Sequence, residues 1–396
     1  MTPWAGIFNW DIGFPTDRYS AAAYDVSWGD KNRPAMFDPH YGLSPYVQQW
    51  NLNIQREIMK HTVLDIGYIG NKGTRLRIGE LAILNQIPAS ALAQYGTKLN
   101  NAVRSEADAK ANGIAYPYLG FAGTVASALR PFPQVQGNQT IQDYGAPLGF
   151  STYHALQVTL NREVREGLTI YANYVFSKTL ANVDSSLLGD NTGRPLDYYN
   201  LKLEKSVAEG DQPHMFKAYV NYALPFRGKR FTKALVSGWS VISVVNYYSG
   251  QPLTFTATTP LSGGWNGATN RANVAAGELR NVTFDFANFN LANTLSAQDT
   301  YLNKAAFSAP APLTLGTGAR RYSQIRGFGT RSEDVSIRKT FQLREKTSFQ
   351  LTAEMLNVFN RHQLGGIVTS INSNNFGQVT TVTGNRQIQL SGRIDF

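Results

Sequence analysis

The pattern of connection lengths constrains this 396-residue chain more than any motif does. Nine segments read as strands: 47–56, 62–70, 151–161, 167–177, 215–225, 239–249, 334–343, 347–359 and 386–396; apolar and polar residues alternate with period two in most of them, more weakly in 62–70 and 334–343, and both faces of 239–249 are mixed. That period puts every second side chain on one face of a strand. In the last segment Ile388, Leu390, Gly392, Ile394 and Phe396 share one face, and Gln387, Gln389, Ser391, Arg393 and Asp395 share the other. The gaps at 57–61, 161–167, 226–238 and 344–346 are short, whereas those at about 71–150, 178–214, 250–333 and 360–385 are long. Short and long gaps alternate throughout. Antiparallel strands joined in this way gather the short turns at one end of a sheet and the long loops at the other.

A half-buried soluble sheet would show the same alternation, so period alone does not choose the solvent. Strand length and loop asymmetry do. About ten residues at roughly 3.3 Å each, tilted by about 40°, span on the order of 25 Å, the height of the apolar band on an outer-membrane barrel. Soluble strands are commonly about half as long. Rings near the strand ends, among them Trp50, Tyr68, Tyr174, Phe176, Tyr222, Trp239, Tyr247, Tyr248 and Phe396, suit interfacial girdles. Charged residues make up only 16% of the chain, against roughly 25% in soluble averages. The longest apolar run, 234–248, is broken by Ser237, Gly238, Ser240, Ser243 and Asn246, which excludes a membrane helix. The expected fold is an all-β, antiparallel transmembrane barrel wall with short periplasmic turns and long extracellular loops. Residues 1–45 read as a lead-in with room for a tenth strand within 1–30, and 46–396 as one domain. The Ala-rich stretch 89–111 reads as a short helix in the first long loop. The N-terminus has neither a basic nor an apolar region of the export type, so the chain reads as intracellular or as missing its beginning.

Little in the sequence supports chemistry. The absence of cysteine excludes disulfides and thiolate metal sites. His40, His61, His154, His214 and His362 are scattered without metal-ligand spacing, and His154 and His214 fall where strands begin after long loops, a position suited to contact at the outer rim. Asp184, Asp190 and Asp197 share a loop, but their spacing does not suit calcium, which takes ligands at alternate positions. No phosphate-binding glycine loop and no Gly-x-Ser-x-Gly elbow occur, so neither an enzyme, a cofactor nor a metal is expected. The excess of positive charge, 37 Lys+Arg against 27 Asp+Glu, is richest at 227–233 and 320–326. The first of these lies in an expected short turn, where charge sits beside headgroups, so nucleic acid is not an expected partner. Lys339 interrupts an apolar face, which implies a shifted register or a bulge there.

Several stretches resemble a known family. They are Gln48-Gln-Trp-Asn-Leu-Asn-Ile-Gln-Arg-Glu57, Asp65-Ile-Gly-Tyr-Ile-Gly-Asn-Lys-Gly73, Leu129-Arg-Pro-Phe-Pro-Gln134, Tyr153-His-Ala-Leu-Gln-Val158, Gly238-Trp239, Ser249-Gly-Gln-Pro252 and Ala353-Glu-Met-Leu-Asn-Val-Phe-Asn360. In this order they resemble the C-terminal part of TonB-dependent receptor barrels of the Oar-like kind, covering most of 46–396. Complete members carry a regulatory-like domain, a plug and 22 strands. The resemblance therefore implies about ten strands of a larger barrel, without plug or TonB-contacting segment, and hence a fragment whose open sheet would expose backbone groups costing several kcal/mol each in hydrocarbon. It implies a cell outer-membrane location in a Gram-negative bacterium and uptake of a bulky solute. The implied partners are outer-membrane lipid, the barrel assembly machinery and, in a complete homologue, a plug and the TonB complex. Ile388, Leu390, Ile394 and Phe396 resemble the terminal assembly signal. By strand phase Asn51, Asn53, Gln157, Asn173, Asn221, Arg338, Glu354 and Arg393 face the lumen, against plug or solute. Two other readings are a passive porin-like pore closed by these strands, and a secreted carbohydrate-binding β-sandwich using Trp265 and Tyr301 as sugar platforms.

Overall fold

Segments rich in β-branched and aromatic residues, with no proline inside them, can pair their whole backbone in a ladder. The computed structural model describes residues 43–77, 85–135, 146–162, 167–182, 195–228, 232–259, 270–286, 300–344 and 346–396, with isolated positions between. Nine long strands form one sheet: β1 (Tyr46–Met59), β2 (Thr62–Leu76), β3 (Gly149–Arg162), β4 (Leu168–Ala181), β5 (His214–Ala223), β6 (Trp239–Tyr248), β7 (Thr330–Arg344), β8 (Thr347–Leu356) and β9 (Gln387–Asp395). Each pairs antiparallel with the next in sequence, and a two-residue strand, Ser206–Val207, adds to the end of β4. All nine expected strands are present. The expected tenth, within 1–30, lies outside the described residues. Among the described residues β1 and β9 each have one neighbour, so the sheet is open at both edges.

Register aligns apolar residues with apolar ones over much of the sheet. Ile54, Ile66, Val158, Tyr174, Phe216 and Tyr247 lie directly opposite one another in succession. A parallel row runs through Ile170, Val220, Ser243, Val335, Met355 and Ile388. This face is not packed under a second layer: on inner strands Phe176 is 50%, Leu351 47% and Leu156 41% exposed. Such exposure would be costly in water at roughly 25 cal/mol per Å² and costs nothing against acyl chains.

Lys339 corrects the expectation of a shifted register. It lies opposite Trp239 and Leu351 in unbroken register, and the irregularity of β7 falls further on, between Gln342 and Arg344. Its ammonium donates to the carbonyl oxygens of Leu235 and Ser237 and sits 5.3 Å from the Trp239 ring and 4.9 Å from the Phe341 ring. The charge is tolerated because it sits at the short-turn end, where turn carbonyls and aromatic faces satisfy it.

The motifs at strand ends have specific backbone causes. Gly238 has φ +79°, and its carbonyl accepts from Thr340 N at 2.8 Å, tying the turn before β6 to β7. Gly250 passes so close to the 327–329 segment that a Cβ would collide with the Gly327 carbonyl. Asn357 and Asn360 take left-handed φ values of 52° and 51°. Asn357 accepts from Arg361 N and donates to the Arg361 and Gly384 carbonyls, while Asn360 accepts from Arg386 N. These bonds end β8 at Leu356, short of the 359 expected, and bring the last long loop back to β9.

The long loops have their own interior. Phe255, Ala257, Ala272, Leu279, Tyr301, Leu302, Ala306, Phe307, Ile325, Ile371, Phe376 and Val379 form one buried cluster, with Phe255 and Phe307 rings 4.4 Å apart. A small hairpin, Gln363–Ile367 with Val379–Thr383, borders it. Residues 83–142 belong to a separate compact unit. Within it helices span Ala89–Tyr95 and Glu106–Ala111, which agrees with the helical reading of 89–111, and Ser105 caps the second by accepting from Asp108 N. Ile87, Leu99, Val103, Phe121 and Val125 are buried there.

Candidate functional site

The polar face is built by the same pairing that builds the apolar one. Asn53 and Gln157 lie on either side of Gly67 in one row. Asn221 and Glu354 share another row, through Ile242 and Ser336. Asn173 lies opposite Thr159 and Lys217, Arg338 opposite Ser240 and Thr352, Arg393 opposite Gln350, and Asn51 opposite Ile69. All eight residues therefore share the face opposite the apolar rows, although they are spread over seven strands and do not converge on one point.

Local bonds hold several of them. Asn173 Nδ2 donates to Thr159 Oγ1 at 2.9 Å, and Arg393 Nε donates to Asp395 Oδ1 at 2.6 Å. Gln350 Nε2 donates to the other Asp395 oxygen at 3.1 Å. Arg338 Nε is shielded from solvent and has no hydrogen-bond partner among the described residues. The same face also carries Tyr171, Tyr219 and Tyr248, with Lys217 Nζ 5.7 Å from the Tyr248 ring. A list of polar types overlooks these tyrosines, but strand phase identifies them.

At the long-loop end the cations of 320–326 meet carboxylates. Arg271 makes a bidentate pair with buried Glu204 at 2.7 and 2.6 Å. Arg320 donates to the Asn182 carbonyl at 2.7 Å and lies 3.9 Å from Glu204. Arg321 pairs with Glu209, and Arg326 pairs with Asp211 at 2.6 Å. Asp211 also accepts from Thr179 N. This stretch is cross-linking inside the protein, and a free basic patch is absent there. Burial pushes the Tyr301 phenol above its ordinary pKa, and its hydroxyl donates to the Arg326 carbonyl.

His154 and His214 occupy equivalent places on the apolar face. Tyr68 Oη is 2.8 Å from His154 Nδ1, and Tyr174 Oη is 2.7 Å from His214 Nδ1. These pairs form a polar-tipped aromatic rim near the long-loop end. Asp184 and Asp190 lie outside the described residues, while Asp197 accepts from Tyr199 N. Among the described residues no three His, Asp or Glu side chains converge as a metal site would.

The geometry bears on both alternative readings. The sugar-platform reading needs exposed rings, yet Trp265 is 8% and Tyr301 5% exposed. A passive pore made by these strands needs closure, and the described strands leave both edges open. The terminal residues Ile388, Leu390, Ile394 and Phe396 are all exposed on edge strand β9 or just beyond it.

A family described as an outer membrane beta barrel domain matches residues 2–389. Among solved structures, the outer membrane transporter YddB from Escherichia coli is similar at 10% identity and TM-score 0.41, covering 89% of this chain and 33% of that one. The pyoverdine outer membrane receptor FpvA from Pseudomonas aeruginosa is similar at 10% identity and TM-score 0.38, covering 89% and 30%. The ferric yersiniabactin uptake receptor FyuA from Yersinia pestis is similar at 10% identity and TM-score 0.37, also covering 89% and 30%. The chain thus spans about a third or less of the length of these structures. No curated protein sequence matches it.

Proposed function

From membership of the outer-membrane β-barrel domain family, to which this chain belongs, we propose that it forms part of the wall of a TonB-dependent transporter or receptor that takes up a bulky solute. The strands of 46–396 act as one domain, with 85–135 inserted in its first long loop. The observation that carries the reading is the division of the wall into an exposed apolar face and a face on which polar residues continue from β1 to β9. Hydrocarbon takes the first face, and a wide water-filled or protein-filled lumen suits the second. Asn51, Asn53, Gln157, Asn173, Asn221, Arg338, Glu354 and Arg393 contact solute or plug, and none has a catalytic role. The unpartnered Nε of Arg338 fits a carbonyl or carboxylate of a lumen-filling segment. Further strands would pair with β1 and β9, removing the open edges, and the exposed terminal residues would serve recognition by the barrel assembly machinery.

Uptake assays in cells producing the protein test this reading. Solute entry that stops when inner-membrane energy is collapsed supports energised transport. Entry that continues unchanged contradicts it and favours a passive pore.

A further inference from the structure

A cavity of about 900 Å³ opens at the long-loop end of the wall. Tyr174, Phe216 and Tyr247, successive members of one row of the apolar face, line it together with His214. Loop rings close over it: Phe286 and Tyr301 both pack on Phe328, with centroids 5.6 and 4.7 Å apart. Arg326, Arg331, Arg361 and His362 also line it, and no carboxylate is among the lining residues.

The three arginines differ in how far they are already committed. Arg326 is bound to Asp211 through both its side-chain and backbone oxygens. Arg361 uses Nε for both oxygens of buried Glu333, which also accepts from Tyr247 Oη at 2.7 Å. Among the described residues the terminal nitrogens of Arg361 make no hydrogen bond; the side chain is 42% exposed and its guanidinium lies 5.3 Å from the Phe359 ring. Arg331 is exposed and makes no hydrogen bond or ion pair among the described residues. It lies directly opposite Tyr247, on the face that meets hydrocarbon. The charge of Arg331 is felt by Glu333, but its N–H donors stay free to meet an anion at the edge of the apolar band, and planar N–H groups suit phosphate oxygens.

We propose that this cavity holds the anionic phosphomonoester headgroup of an outer-leaflet lipid. Arg331 and the terminal nitrogens of Arg361 take the phosphate, and His214 and the aromatic rings pack against the rest of the headgroup. Acyl chains continue down the rows through Ala172, Ala218 and Val245. A cavity of this size is in the range for a large ligand and far exceeds a free phosphate ion. The inference rests on the outer-membrane location and holds whether or not the transport reading does.

The test uses the full chain in phosphatidylcholine vesicles doped with either phosphatidic acid or lipid A, with retained lipid measured by native mass spectrometry after mild extraction. The wild type should retain these phosphomonoester lipids over phosphatidylcholine, whose phosphodiester is offset by its choline cation, and inorganic phosphate should not displace them. Arg331→Gln should weaken retention by about tenfold, the loss of one charge-assisted contact, while Arg331→Lys should lose less. Equal retention of phosphatidylcholine, or full retention by folded Arg331→Gln, would overturn the proposal. Displacement by inorganic phosphate would reassign the cavity to a free anion. Should Arg331→Gln not fold, the wild-type lipid comparison and Arg331→Lys still decide the matter.

Discussion

The nine-strand wall and the assembly of long loops between β4 and β9 solve the same problem in opposite ways. In the wall, backbone pairing is complete from strand to strand and the apolar side chains stay exposed. In the loops, backbone pairing is sparse, and stability comes from a buried aromatic cluster and from ion pairs such as Glu204 with Arg271. The wall is arranged for a solvent of hydrocarbon, where every N–H and C=O must be paired and apolar surface can be left outside. The loops are arranged for water, where apolar surface is hidden and long irregular segments need internal anchors. One chain therefore carries two chemistries, divided near the ring of Tyr68, His154, Tyr174 and His214.

Substitutions that suit one region should fail in the other. The largest expected effect is in the loops: Phe255→Ala removes a ring at the centre of the cluster and should cost about 3–5 kcal/mol of loop stability. Limited proteolysis should then cut within 250–386 while the strand signal in circular dichroism persists. Glu204→Gln should cost about the same, because it leaves Arg271 buried without its partner; here limited proteolysis over a denaturant series reads the change.

The wall comparison comes next. Val220→Arg on the apolar face should destabilise by about 2–4 kcal/mol, and Asn221→Arg on the opposite face by under about 1 kcal/mol. Urea refolding into vesicles measures both, and equal costs would remove the distinction between the faces. The smallest effect is expected at the boundary. Lys339→Met loses its bonds to the Leu235 and Ser237 carbonyls but gains an apolar residue beside Trp239, for a net change of about 1 kcal/mol in the same assay.

The two regions also differ in how much of them can be read from the residues. The wall is legible because its period repeats in most of the nine segments, and the register then follows from keeping like faces together. Where the reading stopped early, polar residues were the cause: β2 runs on through Asn71, Lys72, Gly73, Thr74 and Arg75, and β7 begins at Thr330 because Glu333 is neutralised by Arg361 and Tyr247. The loop core is not legible in this way. Phe255, Phe307 and Phe376 meet from far apart in sequence, with no period to announce them. The residues of the polar face follow from phase alone, whereas the cavity at Arg331 needs the loop rings that only folding brings over the wall.

The central claim is that one face of the wall meets acyl chains. Because the chain has no cysteine, single cysteines can be placed at Val158, Val220 and Leu390 and at Gln157, Asn221 and Gln389, then labelled with an environment-sensitive fluorophore in vesicles. The account predicts that a lipid-borne quencher reaches the first three and an aqueous quencher the second three. Labels that show no alternation, or the reverse assignment, would contradict it.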